Sequence, residues 1–168
     1  MDWVISIICG LFSGFAVSIL LFLIRRIIKP KLTISKQIAR EKGGENDTFR
    51  VKVINKSKFE ATNLRYCLKY SYRTGDNKYT VIVIDHKQMF YNIKPLKNST
   101  NYSDNVKIMT FFLKEENYPL YEDSKFIFEI FSEHSFSGYS KCFTQTFSAV
   151  DIIDGKFKEG QSTAIIPN

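Results

Sequence analysis

The residue types that carry chemistry are few in this 168-residue chain, so their spacing can be weighed one by one. There are two histidines: His86 follows Asp85, and His134 stands in the run Glu133-His134-Ser135-Phe136-Ser137-Gly138. A nucleophilic triad needs a serine, a histidine and an orienting carboxylate within hydrogen-bond reach of one another. The chain has no GxSxG elbow to supply that serine, and both histidines are read as turn residues. The three cysteines, Cys9, Cys67 and Cys142, form no CxxC pair and offer no ligand spacing for a metal. Phosphate-loop and HExxH motifs are absent. Carboxylates are scattered singly or gathered in one acidic connector, which gives no support to paired acid–base chemistry. The expectation is a protein that is not an enzyme, with no metal and no cofactor.

One electrostatic feature stands out. Residues 50–78 hold eight Lys and Arg against two acids, and residues 115–133 hold six acids against one lysine. In strands of period two, Arg50 and Lys52 face one way, and so do Arg65 and Lys69. If these two strands are neighbours, the four share an outward face, with Arg73 further along. Arg and Lys on a β surface suit phosphate oxygens, and Tyr79 or Tyr139 is available for base stacking. Arg50, Lys52, Arg65, Lys69 and Arg73 are therefore candidate contacts for a nucleotide or other phosphate-bearing ligand. Two blander readings stand beside this one: a solvated sheet face, or pairing with the acidic segment of the same or a neighbouring chain. Duplex DNA is not expected as a partner. There is no reading helix, and from Leu32 onward twenty cations face sixteen anions.

The elements that carry these residues divide the chain in two. Between Trp3 and Ile24 there is no charged residue. As a helix those 22 residues reach roughly 33 Å, close to the ~30 Å hydrocarbon core of a bilayer. A signal peptide would carry a basic start and a small-residue cleavage site. Here the start carries Asp2 and the end reads Leu-Phe-Leu-Ile-Arg-Arg, so a retained anchor is expected. Arg25, Arg26, Lys29 and Lys31 follow the span, which places the N-terminus outside and the C-terminal domain in the cytoplasm. These cations also favour anionic lipid. Ser6, Gly10, Gly14 and Ser18 recur every four residues, on one helix stripe. Such a stripe lets two helices approach closely in lipid, and a homo-oligomer is expected through it.

After Pro30 the period changes to two. Strands are expected from Leu32, over Thr48–Ile54, Leu64–Tyr72, Tyr79–Ile84 and, less regularly, Gln88–Ile93. Further strands follow over Val106–Leu113, Phe126–Ile130 and Tyr139–Phe147. Arg40–Asp47, Lys97–Asp104 and the acidic Glu115–Asp123 read as loops, Asn55–Lys58 as a turn and Arg73–Asn77 as a hairpin. Asn46, Asn55, Asn98 and Asn101 open N-x-S/T matches, as expected in an Asn-rich chain. The fold class is mainly β: one N-terminal transmembrane α-helix (1–30 with its basic flank), then an antiparallel immunoglobulin-like β-sandwich or small barrel (31–168). Fifteen Phe and nine Tyr suffice for its core.

The stretch Phe49-Arg-Val-Lys-Val-Ile-Asn-Lys-Ser-Lys-Phe-Glu-Ala-Thr-Asn-Leu-Arg-Tyr-Cys-Leu68 resembles the strand–turn–strand of bacterial immunoglobulin-like domains. That resemblance implies a sandwich with Greek-key connections and transfers no catalytic residue. The inter-sheet disulfide of such domains is not expected, because Cys67 and Cys142 fall on the faces that carry Arg65, Lys69, Ser140 and Thr144; in a reducing compartment both stay free thiols. A single span with a small sensor domain is also similar in plan to bacterial antiviral membrane effectors, which oligomerise on a signal. The functional expectation is a membrane-anchored binding or sensor protein that recognises a protein partner or an anionic ligand. The alternative is a structural or adhesion-type module tethered to the cell envelope.

Overall fold

The computed structural model describes residues 2–27, 29–44, 46–76, 78–89, 92–95 and 104–167. The expected loop Lys97–Asp104 lies outside them up to Ser103, with Asn98 and Asn101, and the expected strand Gln88–Ile93 is interrupted at 90–91.

Helix α1 (Asp2–Ile27) contains the apolar window Trp3–Ile24, none of which is buried against the β-domain. Phe12, Phe15, Leu20 and Phe22 are exposed on different sides of it. A helix that is apolar all round has no aqueous face, and nothing among the described residues covers it. A single N-terminal apolar helix joined to a β-rich domain fits a single-pass membrane protein.

Ten strands follow: β1 (Leu32–Ile34), β2 (Ile38–Glu41), β3 (Asp47–Asn55), β4 (Ala61–Gly75), β5 (Lys78–Met89), β6 (Val106–Leu113), β7 (Lys125–His134), β8 (Ser140–Ser148), β9 (Ile152–Phe157) and β10 (Ile165–Pro167). They form two sheets and no closed barrel. In the first sheet β3 pairs with β6 on one side, and on the other with both β1 and β2. β1 and β2 are thus two halves of one interrupted strand. β2 then pairs in parallel with β9, and β9 with β10. The second sheet is antiparallel, in the order β5-β4-β7-β8. The chain runs from β3 into the second sheet, returns for β6, and crosses again to β7. This is the Greek-key path of an immunoglobulin-like sandwich.

The inner faces follow the period-two pattern. Phe49, Val51 and Val53 of β3 meet Leu64, Tyr66, Leu68 and Tyr70 of β4 and Phe126, Phe128 and Ile130 of β7 in one buried cluster. Edge-to-face rings fill its centre: Tyr66 lies 5.7 Å from Phe111, and Phe111 lies 6.1 Å from Phe128. Each such side chain contributes about 1.5–3 kcal/mol on burial.

Two departures from the sequence reading have clear causes. The expected Arg40–Asp47 loop begins as β2, since Ile38, Ala39 and Arg40 find partners in Ile152, Ile153 and Asp154, more than a hundred residues away. The expected turn Asn55–Lys58 is an arch that crosses between the sheets, so the two strands it joins are not neighbours. The buried Asn55 amide donates to Phe59 O at 2.9 Å and Ile93 O at 2.8 Å, and accepts Ser57 N–H at 2.9 Å. These bonds carry the chain across the end of the sandwich, so β3 and β4 lie in different sheets.

Candidate functional site

The arch decides the fate of the five candidate cations, which do not form one patch. Arg50 and Lys52 belong to β3 in the first sheet; Arg65, Lys69 and Arg73 belong to β4 in the second. The expectation of a shared face required β3 and β4 to be neighbours, and the crossing removes that condition.

Most of these cations are already engaged. Arg50 pairs with Glu41 at 2.5 Å, and Arg50 with Lys156 holds the Glu41 carboxyl below its usual range. Lys52 is only 1% exposed although the alternation points it outward. The segment after β9 crosses over it, and its ammonium donates to Lys158 O at 2.6 Å and Ser162 O at 2.7 Å. Burial pushes the Lys52 pKa down. Lys69 donates to Glu129 at 2.7 Å, a bond that raises its pKa. Arg73 lies 3.7 Å from Asp123. The basic and acidic segments of the sequence therefore meet within one chain across β4 and β7.

Arg65 is different: no ion pair or hydrogen bond engages its side chain among the described residues. It lines a cavity of about 380 Å³ on the second sheet, with Cys67, Lys87, Phe131, Ser132, Ser140 and the Glu133 carboxylate that Asn63 engages. The register shifts between Thr62 and Arg65, and Asn63 takes the left-handed conformation (φ 49°) that Asn tolerates better than most residues. Asn63 donates to Glu133 at 2.5 Å, which fixes this bulge and sets Arg65 opposite Phe131. Lys87 reaches Asp85 at 3.1 Å. Ser132 is 1% exposed, and its hydroxyl has no hydrogen-bond partner among the described residues. Burial raises the Cys67 thiol, with Lys69 opposing the shift, so Cys67 stays protonated and a poor nucleophile at neutral pH. A lone guanidinium, a half-exposed ring and a hydroxyl without a partner can hold a small anion with an apolar body.

Elsewhere, His134 is buried and held neutral by that burial, with its ring 4.8 Å from Phe59. It is packed, not the solvated turn residue the sequence suggests. The side chain of His86 lies outside those described. On α1, a Cβ at Gly10 or Gly14 would meet nothing within 4 Å, and Ser18 donates back to Gly14 O at 2.9 Å. Within the Ser6/Gly10/Gly14/Ser18 stripe, the positions of the two glycines are open among the described residues.

Sequence reasoning singled out Arg65 but missed Lys87, Phe131 and Ser132, which arrive from other strands. The Ala-Thr-Asn-Leu run at 61–64 was the available signal, since Asn suits a bulge.

No protein-family model matches the chain, and no curated protein matches its sequence. Among solved structures it is similar to the sporulation control protein Spo0M from Bacillus subtilis (14% identity, TM-score 0.40), covering 71% of this chain and 48% of that one. It is also similar to the trimeric lipoprotein SadB of Salmonella enterica (11% identity, TM-score 0.33, 74% and 72% covered). A third is a GH3 β-glucosidase from Bifidobacterium adolescentis (13% identity, TM-score 0.36, 69% and 17% covered). The chain spans about half the length of Spo0M. Likenesses this distant assign no activity, ligand or partner.

Proposed function

We propose that this chain is a single-pass membrane protein whose β-sandwich, on the cytoplasmic side, binds a small anionic ligand in the Arg65 cavity. The carrying observation is that Arg65 is the outward cation of β4 without a partner among the described residues, in a cavity that also holds the Ser132 hydroxyl, likewise without one among them. At about 380 Å³ the cavity falls at the lower end of ligand-site volumes, which run from about 300 to 1,000 Å³. That size suits a mononucleotide or a smaller phosphate or carboxylate. Phe131, 47% exposed, offers a surface for the apolar part of such a ligand. The open stripe on α1 supports assembly of several copies in the bilayer, so that ligand binding by the sandwich is read out through association of the spans, as in an effector of the antiviral type.

The test is titration calorimetry of the full chain in detergent with a panel of nucleoside mono-, di- and cyclic phosphates. At least one is expected to bind. Arg65→Ala should weaken it about tenfold or more, as befits loss of a charge-assisted hydrogen bond worth about 1.5–3 kcal/mol. Binding by none of the panel, or equal binding by Arg65→Ala, overturns the proposal and leaves a tethered structural module as the reading.

A further inference from the structure

A second cavity, of about 490 Å³, lies where α1 hands over to the β-domain. Lys29 and Lys31 line it from the linker, Lys56 and Lys58 from the crossing arch, and Phe59 and His134 form its apolar side. No carboxylate lines it, and none of the four ammoniums has an ion-pair partner among the described residues. The geometry points to a site for the phosphate headgroup of an anionic phospholipid, drawn from the leaflet that α1 leaves. This inference rests on α1 being inserted in a bilayer. It does not rest on the Arg65 cavity.

Three observations carry it. The first is depth. The apolar window ends at Ile24, α1 runs three residues further to Ile27, about 4.5 Å along its axis, and Lys29 follows two residues after that. The headgroup layer occupies roughly 5–8 Å on each side of the hydrocarbon core, so these lysines sit at the level of lipid phosphates. The second is preorganisation. Lys56 N–H donates to Lys31 O at 2.8 Å, tying the linker to the arch, and the buried Asn55 amide holds the arch itself. The Lys29 ammonium lies 5.1 Å from the centre of the Tyr139 ring. Four cations from two separate segments are thus gathered by the fold, where like charges would otherwise spread apart. The third is the rim. Phe59, which lines the cavity, stacks on Phe136 at 5.6 Å, and Phe136 is 71% exposed. Aromatic rings and lysines at one end of a domain suit a bilayer interface, with rings among acyl carbons and ammoniums among phosphates. Anchoring of the helix alone would use the linker cations and has no need of Lys56 and Lys58.

The experiment has two readouts on the full chain. In the first, the chain is reconstituted in phosphatidylcholine vesicles, washed with alkaline carbonate and pelleted. Recovery with the vesicles is expected; release into the wash overturns the membrane reading, and the headgroup site with it. In the second, native mass spectrometry of the delipidated chain in mild detergent follows titration with phosphatidylglycerol, phosphatidylcholine and, separately, inorganic phosphate. Phosphatidylglycerol should bind best. Each surface cation contributes about fivefold to such binding, so Lys56→Gln with Lys58→Gln should weaken it about 25-fold. Lys78→Gln with Lys114→Gln, equal in charge and distant in the chain, should leave it unchanged. Thermal unfolding of both double variants checks that the sandwich is intact. Equal binding of phosphatidylcholine, equal loss in the Lys78/Lys114 variant, or phosphate bound as tightly as the lipid each overturns the assignment while the carbonate result stands.

Discussion

Replacing Asn55 by alanine tests the arch that separates β3 from β4. The side chain is fully buried; it donates to Phe59 O and Ile93 O and accepts from Ser57 N–H, and its oxygen also takes a short bond from the Ser57 hydroxyl, which can turn to Phe59 O instead. Ser57 Oγ also donates to Phe59 O, and Ala61 N–H to Ile93 O, so those two carbonyls keep a partner in the variant. Ser57 N–H does not. Three neutral hydrogen bonds at about 1 kcal/mol each, with one buried donor left orphaned, give a loss of about 3–4 kcal/mol. For a β-domain of this size, unfolding entropy is roughly 0.3 kcal/mol per degree, so the midpoint should fall by about 10–13 °C. Asn55→Asp keeps the bond from Ser57 but sets a carboxylate against two carbonyl oxygens, and should cost more than alanine. Urea unfolding of the full chain in detergent, followed by tyrosine fluorescence and circular dichroism, measures both. A loss below 1 kcal/mol for Asn55→Ala, or a more stable Asn55→Asp, would refute the assignment of the arch to this side chain.

Three further outcomes are expected. Lys52→Met keeps the aliphatic stem beside Phe157 but removes the donor to Lys158 O and Ser162 O; hydrogen exchange should rise in residues 158–164, and unchanged exchange there would show that Lys52 does not hold this segment. His134 has a folded pKa below its unfolded value near 6.5, so its neutral form is favoured by folding. Its contribution is complete above about pH 6.5 and is lost as pH falls toward the folded pKa, at up to about 1.4 kcal/mol per pH unit. Urea midpoints between pH 7.5 and 5 should show that slope in the natural chain and not in His134→Gln. Gly10→Ile with Gly14→Ile fills the open stripe on α1, and should shift detergent-solubilised assemblies toward monomer in light scattering; an unchanged mass would remove the stripe from the assembly.

What the sequence determined by itself is local. An uncharged run from Trp3 to Ile24 is a membrane-length helix by composition, since its 22 residues match the hydrocarbon core in length and carry no charge. Period-two alternation at Phe49–Val53 and Leu64–Tyr70 assigns strands and their inner faces, because neighbouring side chains on a strand point to opposite sides whatever the partner. The tertiary structure decided which sheet each strand joins. That choice rests on bonds such as the one from Asn55 to Ile93, 38 residues apart, which no short window contains. It sends Arg50 and Arg65 to different sheets and buries Lys52 under the C-terminal segment. It also leaves Arg65 without a partner among the described residues and brings Lys29 and Lys31 beside Lys56 and Lys58. Charge can be counted along a sequence, but whether two charges meet depends on distance in space, and here the path between the sheets sets that distance.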